Sequence, residues 1–124
     1  MDNKEKERIN SYLYLSGRVL LSLNDKKGLF KHEKNLESLK DTPLYSLALF
    51  DIAKYVAYHD DVDDYVVTAI YRYGEYLAIR DNLPYLMDKT PDVELYDQYV
   101  VDYASKGDEI AILLINKKNA LQSV

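Results

Sequence analysis

Between Leu44 and His59 the chain reads "LYSLALFDIAKYVAYH", and Tyr45, Ala48, Leu49, Ile52, Val56 and His59 recur there at steps of three and four. That spacing lines one face of an α-helix and is incompatible with a strand, whose side chains alternate with a period of two. Thr42, just before it, can accept from the free amides of the first turn. Pro43 suits the first helical position, where an N–H would lack a partner anyway. An apolar face of this width must be covered by other elements.

Three further segments carry the same period. Val66, Ala69, Ile70, Tyr73 and Leu77 point to one side of a helix that Pro84 ends near Arg80. Thr90 and Pro91 repeat the opening device, Val93, Tyr96, Val100, Tyr103 and Ala104 form the inner stripe, and Gly107 ends it. In "DNKEKERINSYLYLSGRVLLSL", Ile9, Leu13 and Leu20 adjoin Tyr12, Leu15, Val19 and Leu23; the competing reading is a hairpin turning at Ser16 and Gly17. A basic connection over 24–41 follows, broken at Gly28 and pinned to the core by Leu29 and Phe30, with room for a short helix over 33–40. The last segment, "GDEIAILLINKKNALQSV", reads as a strand by its apolar run alone. Asp108 as a cap, Lys117 and Lys118 towards the end, and the lack of a strand to pair with favour a helix. The expectation is an all-α, four- to five-helix bundle forming a single compact domain over 1–124.

Composition narrows the function. A chain of 124 residues, 48% apolar and 30% charged, has the make-up of one globular domain rather than of a disordered tail. With no cysteine, thiolate nucleophiles, thiolate metal sites and disulfides are excluded, and a reducing compartment is compatible. The N-terminus is charged from its second residue, unlike a secretory signal, and the longest apolar run, "IAILLI", falls far short of the roughly 20 residues of a membrane span. The expected location is cytoplasmic, with no membrane partner. Two histidines, no serine in an elbow context and four unpaired glycines leave no nucleophile with its base and no phosphate loop, so no catalytic residue and no cofactor is expected.

Charge is unevenly distributed. Residues 1–40 hold nine basic and six acidic groups, whereas residues 41–109 hold five and fifteen. The acidic part repels phosphate backbones, which disfavours nucleic acid, and attracts basic partners. Its densest point is "YHDDVDDY", where Asp60, Asp61, Asp63 and Asp64 open the third long helix. Carboxylates there interact favourably with helix amides at about 0.3–1 kcal/mol each, but four in five positions also repel one another.

Several chemistries use carboxylates in such a pattern. Asp60, Asp61 and Asp64, followed by Glu94 and Asp97, resemble the EExxE and ExxD magnesium motifs of MazG-type all-α nucleotide pyrophosphohydrolases, with each acid of the first motif shortened to aspartate. The DDxxD spacing also resembles that of isoprenoid synthases, whose fold needs more than twice this length. His59 and Asp60, with His32 upstream, resemble the ligand set of HD-type phosphohydrolases. Ile52, Ala53, Val56, Val66 and Ile70 fit the core of a helix-turn-helix, but its second helix would push Asp63 and Asp64 towards phosphate.

The outer faces give the preferred expectation. Asp64, Thr68, Tyr71 and Glu75 recur opposite the inner stripe of the third helix, making an acidic face with a tyrosine at its centre; Glu94, Gln98 and Asp102 do the same on the next. Aromatic anchors ringed by carboxylates suit docking to a basic protein surface. Asp60, Asp61, Asp63, Asp64, Thr68, Tyr71 and Glu75 are therefore the candidate partner-binding residues of a small, non-enzymatic regulator or stoichiometric inhibitor. In being small, acidic and helical such a chain resembles immunity proteins, antitoxins and viral antagonists of host defence, an analogy of build alone.

Overall fold

A computed structural model of the chain describes residues 3–5, 29–30, 33–34, 36–40, 44–83 and 93–122. The expected first helix beyond residue 5, His32, both Thr-Pro openings and Pro84 lie outside the described residues. The protein is an all-α domain: α1 Leu36–Leu39, α2 Leu44–Tyr58, a 3₁₀ turn Asp63–Tyr65, α3 Val66–Arg80, α4 Val93–Ser105 and α5 Glu109–Gln122. Among the described residues there is no strand.

The central helix is α3, which packs on α2, α4 and α5, while α5 also returns to α2. Its inner stripe is buried as the spacing predicts: Val66, Ala69, Ile70, Tyr73 and Leu77 join Ala48, Leu49, Ile52 and Val56 of α2, Val100 of α4 and Ala111 and Leu114 of α5 in one core. A second cluster, Ala78 and Tyr96 with Tyr71, Leu83 and Tyr99 against them, fills the far end of the α3–α4 contact. Leu29 is fully buried, as expected; Phe30 is not, at 47% exposure, and stands under the Lys34 ammonium instead.

The helix ends are closed by specific residues. The Asn82 N–H donates to the Ile79 carbonyl and the Leu83 N–H to that of Ala78, with Asn82 at φ 56° and Leu83 folded onto the Ala78 cluster. This is the hydrogen-bond pattern of a Schellman motif, with asparagine rather than glycine in the left-handed position. The α4 terminus repeats it: Gly107, at φ 95°, donates to Ala104 and Asp108 to Tyr103. Asp108 then starts α5, its Oδ1 accepting from the Ala111 N–H at 2.9 Å, which settles 109–117 as helix.

Candidate protein-binding surface

The connection from α2 to α3 starts with a reversal at His59. Its ring stacks on Tyr55 at 4.0 Å between centroids, and Nδ1 lies 2.8 Å from the Tyr55 carbonyl, so Nδ1 carries the proton. The Lys117 ammonium of α5 donates to the His59 carbonyl at 2.7 Å. Asp61 takes φ 62°, and Val62 drops into the core at 2% exposure. These contacts anchor the backbone on both sides of the aspartates.

Asp60, Asp61, Asp63 and Asp64 are all exposed. They do not cap α3 as a group: Asp60 and Asp61 sit in the bend, Asp63 and Asp64 in the 3₁₀ turn, and Tyr65 precedes α3 with no side-chain cap bond. Two exposed apolar side chains flank them, Tyr58 at the end of α2 (49%) and Val67 at the start of α3 (56%). Neither was singled out from the sequence, because periodicity places Tyr58 and Val67 off the buried stripe without saying what lies next to them.

Further along α3 the expected acidic face breaks up. Thr68 and Tyr71 are half-buried, and the Tyr71 ring meets Tyr96 of α4 edge to face at 5.1 Å between centroids. Glu75 does not face solvent. Its Oε2 accepts from the Tyr45 hydroxyl of α2 at 2.9 Å and its Oε1 from Arg72 at 2.6 Å. Arg72 also donates through Nε and Nη2 to Glu33 Oε1, at 3.0 and 2.7 Å, pinning the segment before α1 to α3. Burial works against the Arg72 charge, but the two carboxylates more than offset it and hold the guanidinium above its ordinary pKa. The i, i+4 spacing identifies a face of α3, not which neighbouring helix covers it.

On α4 the expected outer residues Glu94, Gln98 and Asp102 are exposed, with Gln98 donating to Asp102 at 3.0 Å. Asp97 lies 3.4 Å from Lys118 of α5. Among the described residues no three histidine, aspartate or glutamate side chains are grouped to hold a metal ion, so Asp60, Asp61 and Asp64 do not converge with Glu94 and Asp97. The helix-turn-helix core positions Ile52, Ala53, Val56, Val66 and Ile70 are buried in the common core, and Asp63 and Asp64 lead the second helix outward. Among the described residues no helix is long and apolar enough to cross a membrane.

Other tyrosines act as ties between helices. Tyr73 donates to Asp108 at 2.8 Å, and both Tyr99 and Tyr103 donate to Asp81 Oδ2 at the end of α3. Those two hydroxyls, Tyr103 first, hold the Asp81 carboxyl below its ordinary pKa. Burial, and then the bond to Asp108, pushes the Tyr73 phenol up. The fold and surface thus define a small all-α protein with an exposed, anchored acidic connection. Compared with protein-family models, curated proteins and solved structures, the chain matches none.

Proposed function

We propose that this chain is a small acidic protein-binding regulator or stoichiometric inhibitor that docks a basic protein surface through the α2–α3 connection, without chemistry of its own. The observation that carries the reading is the exposure of Asp60, Asp61, Asp63 and Asp64 on one short connection between the exposed apolar side chains Tyr58 and Val67. Carboxylates at the rim steer and orient a basic partner, and the apolar side chains supply contact area that water leaves on docking. The ties from Tyr55 and Lys117 to His59 reduce the ordering needed on binding. Thr68 and Tyr71 extend the surface along α3, while Glu75 belongs to the interior network and drops out of it.

The test is affinity capture from the native host with wild-type protein beside an Asp63→Lys/Asp64→Lys variant and a Tyr58→Ala variant. A specific partner is expected to be retained by the wild type, released by salt, and lost or strongly reduced with both variants. Equal retention by variants whose circular dichroism matches the wild type would sink the proposal.

A further inference from the structure

At the other end of α3, and independent of the acidic connection, cations and aromatic rings alternate across three helices. Lys54 Nζ stands 6.0 Å from the Phe50 centroid on α2, and the Phe50 and Tyr76 rings meet at 5.1 Å. The Arg80 guanidinium lies 5.8 Å from Tyr76 on α3 and 5.1 Å from Tyr103 on α4, and Lys106 Nζ is 5.3 Å from that same Tyr103 ring. Lys54, Arg80 and Lys106 are exposed, and Phe50, Tyr76 and Tyr103 half-buried. Four cation–ring contacts thus form a single strip. The strip also gathers three of the five Lys and Arg residues found between positions 41 and 109. In a segment with fifteen acids, pairing to carboxylates is the simple outcome. Yet among the described residues Lys54 and Lys106 meet only rings; Arg80 donates through Nε to Asp81 Oδ1 at 3.4 Å, while Asp81 Oδ2 takes the hydroxyls of Tyr99 and Tyr103.

We infer that this strip is a docking site for a short acidic peptide segment of a partner protein. Charge complementarity sets the sign of the occupant, and the half-buried Phe50, Tyr76 and Tyr103 keep part of their apolar surface beside the cations for side chains lying between its carboxylates. Three helices side by side place the first axis roughly 20 Å from the third, the reach of about six residues of extended chain. A single nucleic-acid strand fits less well. The faces of the Tyr76 and Tyr103 rings that bases would stack on are occupied by Arg80 and Lys106.

The experiment is a titration of nitrogen-15-labelled protein with an acetylated hexapeptide of alternating glutamate and leucine, followed by amide shifts at low and high salt. The control probes are the glutamine analogue and an oligothymidine of equal charge. Shifts are expected at Lys54, Tyr76, Arg80, Tyr103 and Lys106, weakening with salt and absent with the glutamine peptide. A Lys54→Gln/Lys106→Gln variant, whose changes fall on exposed side chains, is expected to bind about tenfold more weakly, as the loss of two exposed charge contacts implies, with its melting temperature unchanged. Arg80→Gln gives an independent variant on the third cation and is expected to weaken binding likewise. Shifts centred elsewhere, undiminished binding by both variants, or tighter binding of the oligothymidine would overturn the inference.

Discussion

Gly74 lies inside α3, where a glycine lowers helix stability by about 1 kcal/mol relative to alanine, and its reason is the neighbour it faces. A Cβ built there would stand 2.8 Å from the Tyr96 Cβ and 2.9 Å from the Tyr96 carbonyl oxygen, closer than packed atoms come. The gain in helix propensity is therefore outweighed. Gly74→Ala is expected to destabilise the protein by about 1–3 kcal/mol, the range for overpacking a tight contact, as read by urea unfolding. At Asn82 the backbone itself is the constraint, with φ at 56°. Asn82→Ala is expected to cost about 1 kcal/mol, because a Cβ without a local hydrogen-bonding group disfavours the left-handed region, whereas Asn82→Gly keeps or raises the melting temperature.

Among the helices, the joints are made by acids that serve two elements at once. Asp108 caps α5 through Ala111 and accepts the Tyr73 hydroxyl of α3. Removing it in Asp108→Ala takes away a cap worth about 1 kcal/mol and leaves a phenol without its acceptor at about another 1 kcal/mol. Tyr73→Phe removes only the second contribution, so chemical unfolding of the two variants separates them. Arg72 does the reverse, one cation serving Glu33 and Glu75. Arg72→Met is expected to lose about 2 kcal/mol, on the scale of hydrogen bonds to charged groups, and to raise hydrogen exchange first in α1, which the Glu33 tie holds down. The regularity of α2 to α4 was legible in the sequence because each carries a stripe at helical period, and that of α5 because Asp108, Lys117 and Lys118 mark helix ends and no strand offers to pair with its apolar run. The tie from Arg72 to Glu33 was not: the two stand 39 residues apart, and no local spacing brings them together.

For the molecule as a whole, thirteen tyrosines against two phenylalanines acquire a structural reason. Tyr45, Tyr73, Tyr99 and Tyr103 each bury ring area and reach a carboxylate on a neighbouring element. Burial, the first cause in each case, and nearby acids raise the phenols of Tyr45, Tyr73 and Tyr99 above the ordinary range and that of Tyr96 to about 12. The sign follows from linkage. Above pH 10 the unfolded chain gives up these protons while the native state keeps them, so stability is full below the unfolded pKa and falls as pH rises towards the folded one. For Tyr96 that window runs from pH 10.0 to about 12. Absorbance near the tyrosinate band is expected to show tyrosines that ionise only as circular dichroism reports unfolding. A single unshifted titration in the folded protein would contradict these ties.

The order of apolar and polar residues by itself determined that α2 to α5 are helices, which side of α2, α3 and α4 turns inward, and that Asp60, Asp61, Asp63 and Asp64 crowd five positions. Burying apolar surface is set by local periodicity, and local periodicity can be read along the chain. Only the tertiary structure decided that Glu75 faces Tyr45 rather than solvent, that Tyr71 leans on Tyr96, and that Lys54, Arg80 and Lys106 come to share one strip of rings. Those outcomes depend on which helix lies beside which, and that is fixed by the summed packing of residues far apart in the chain.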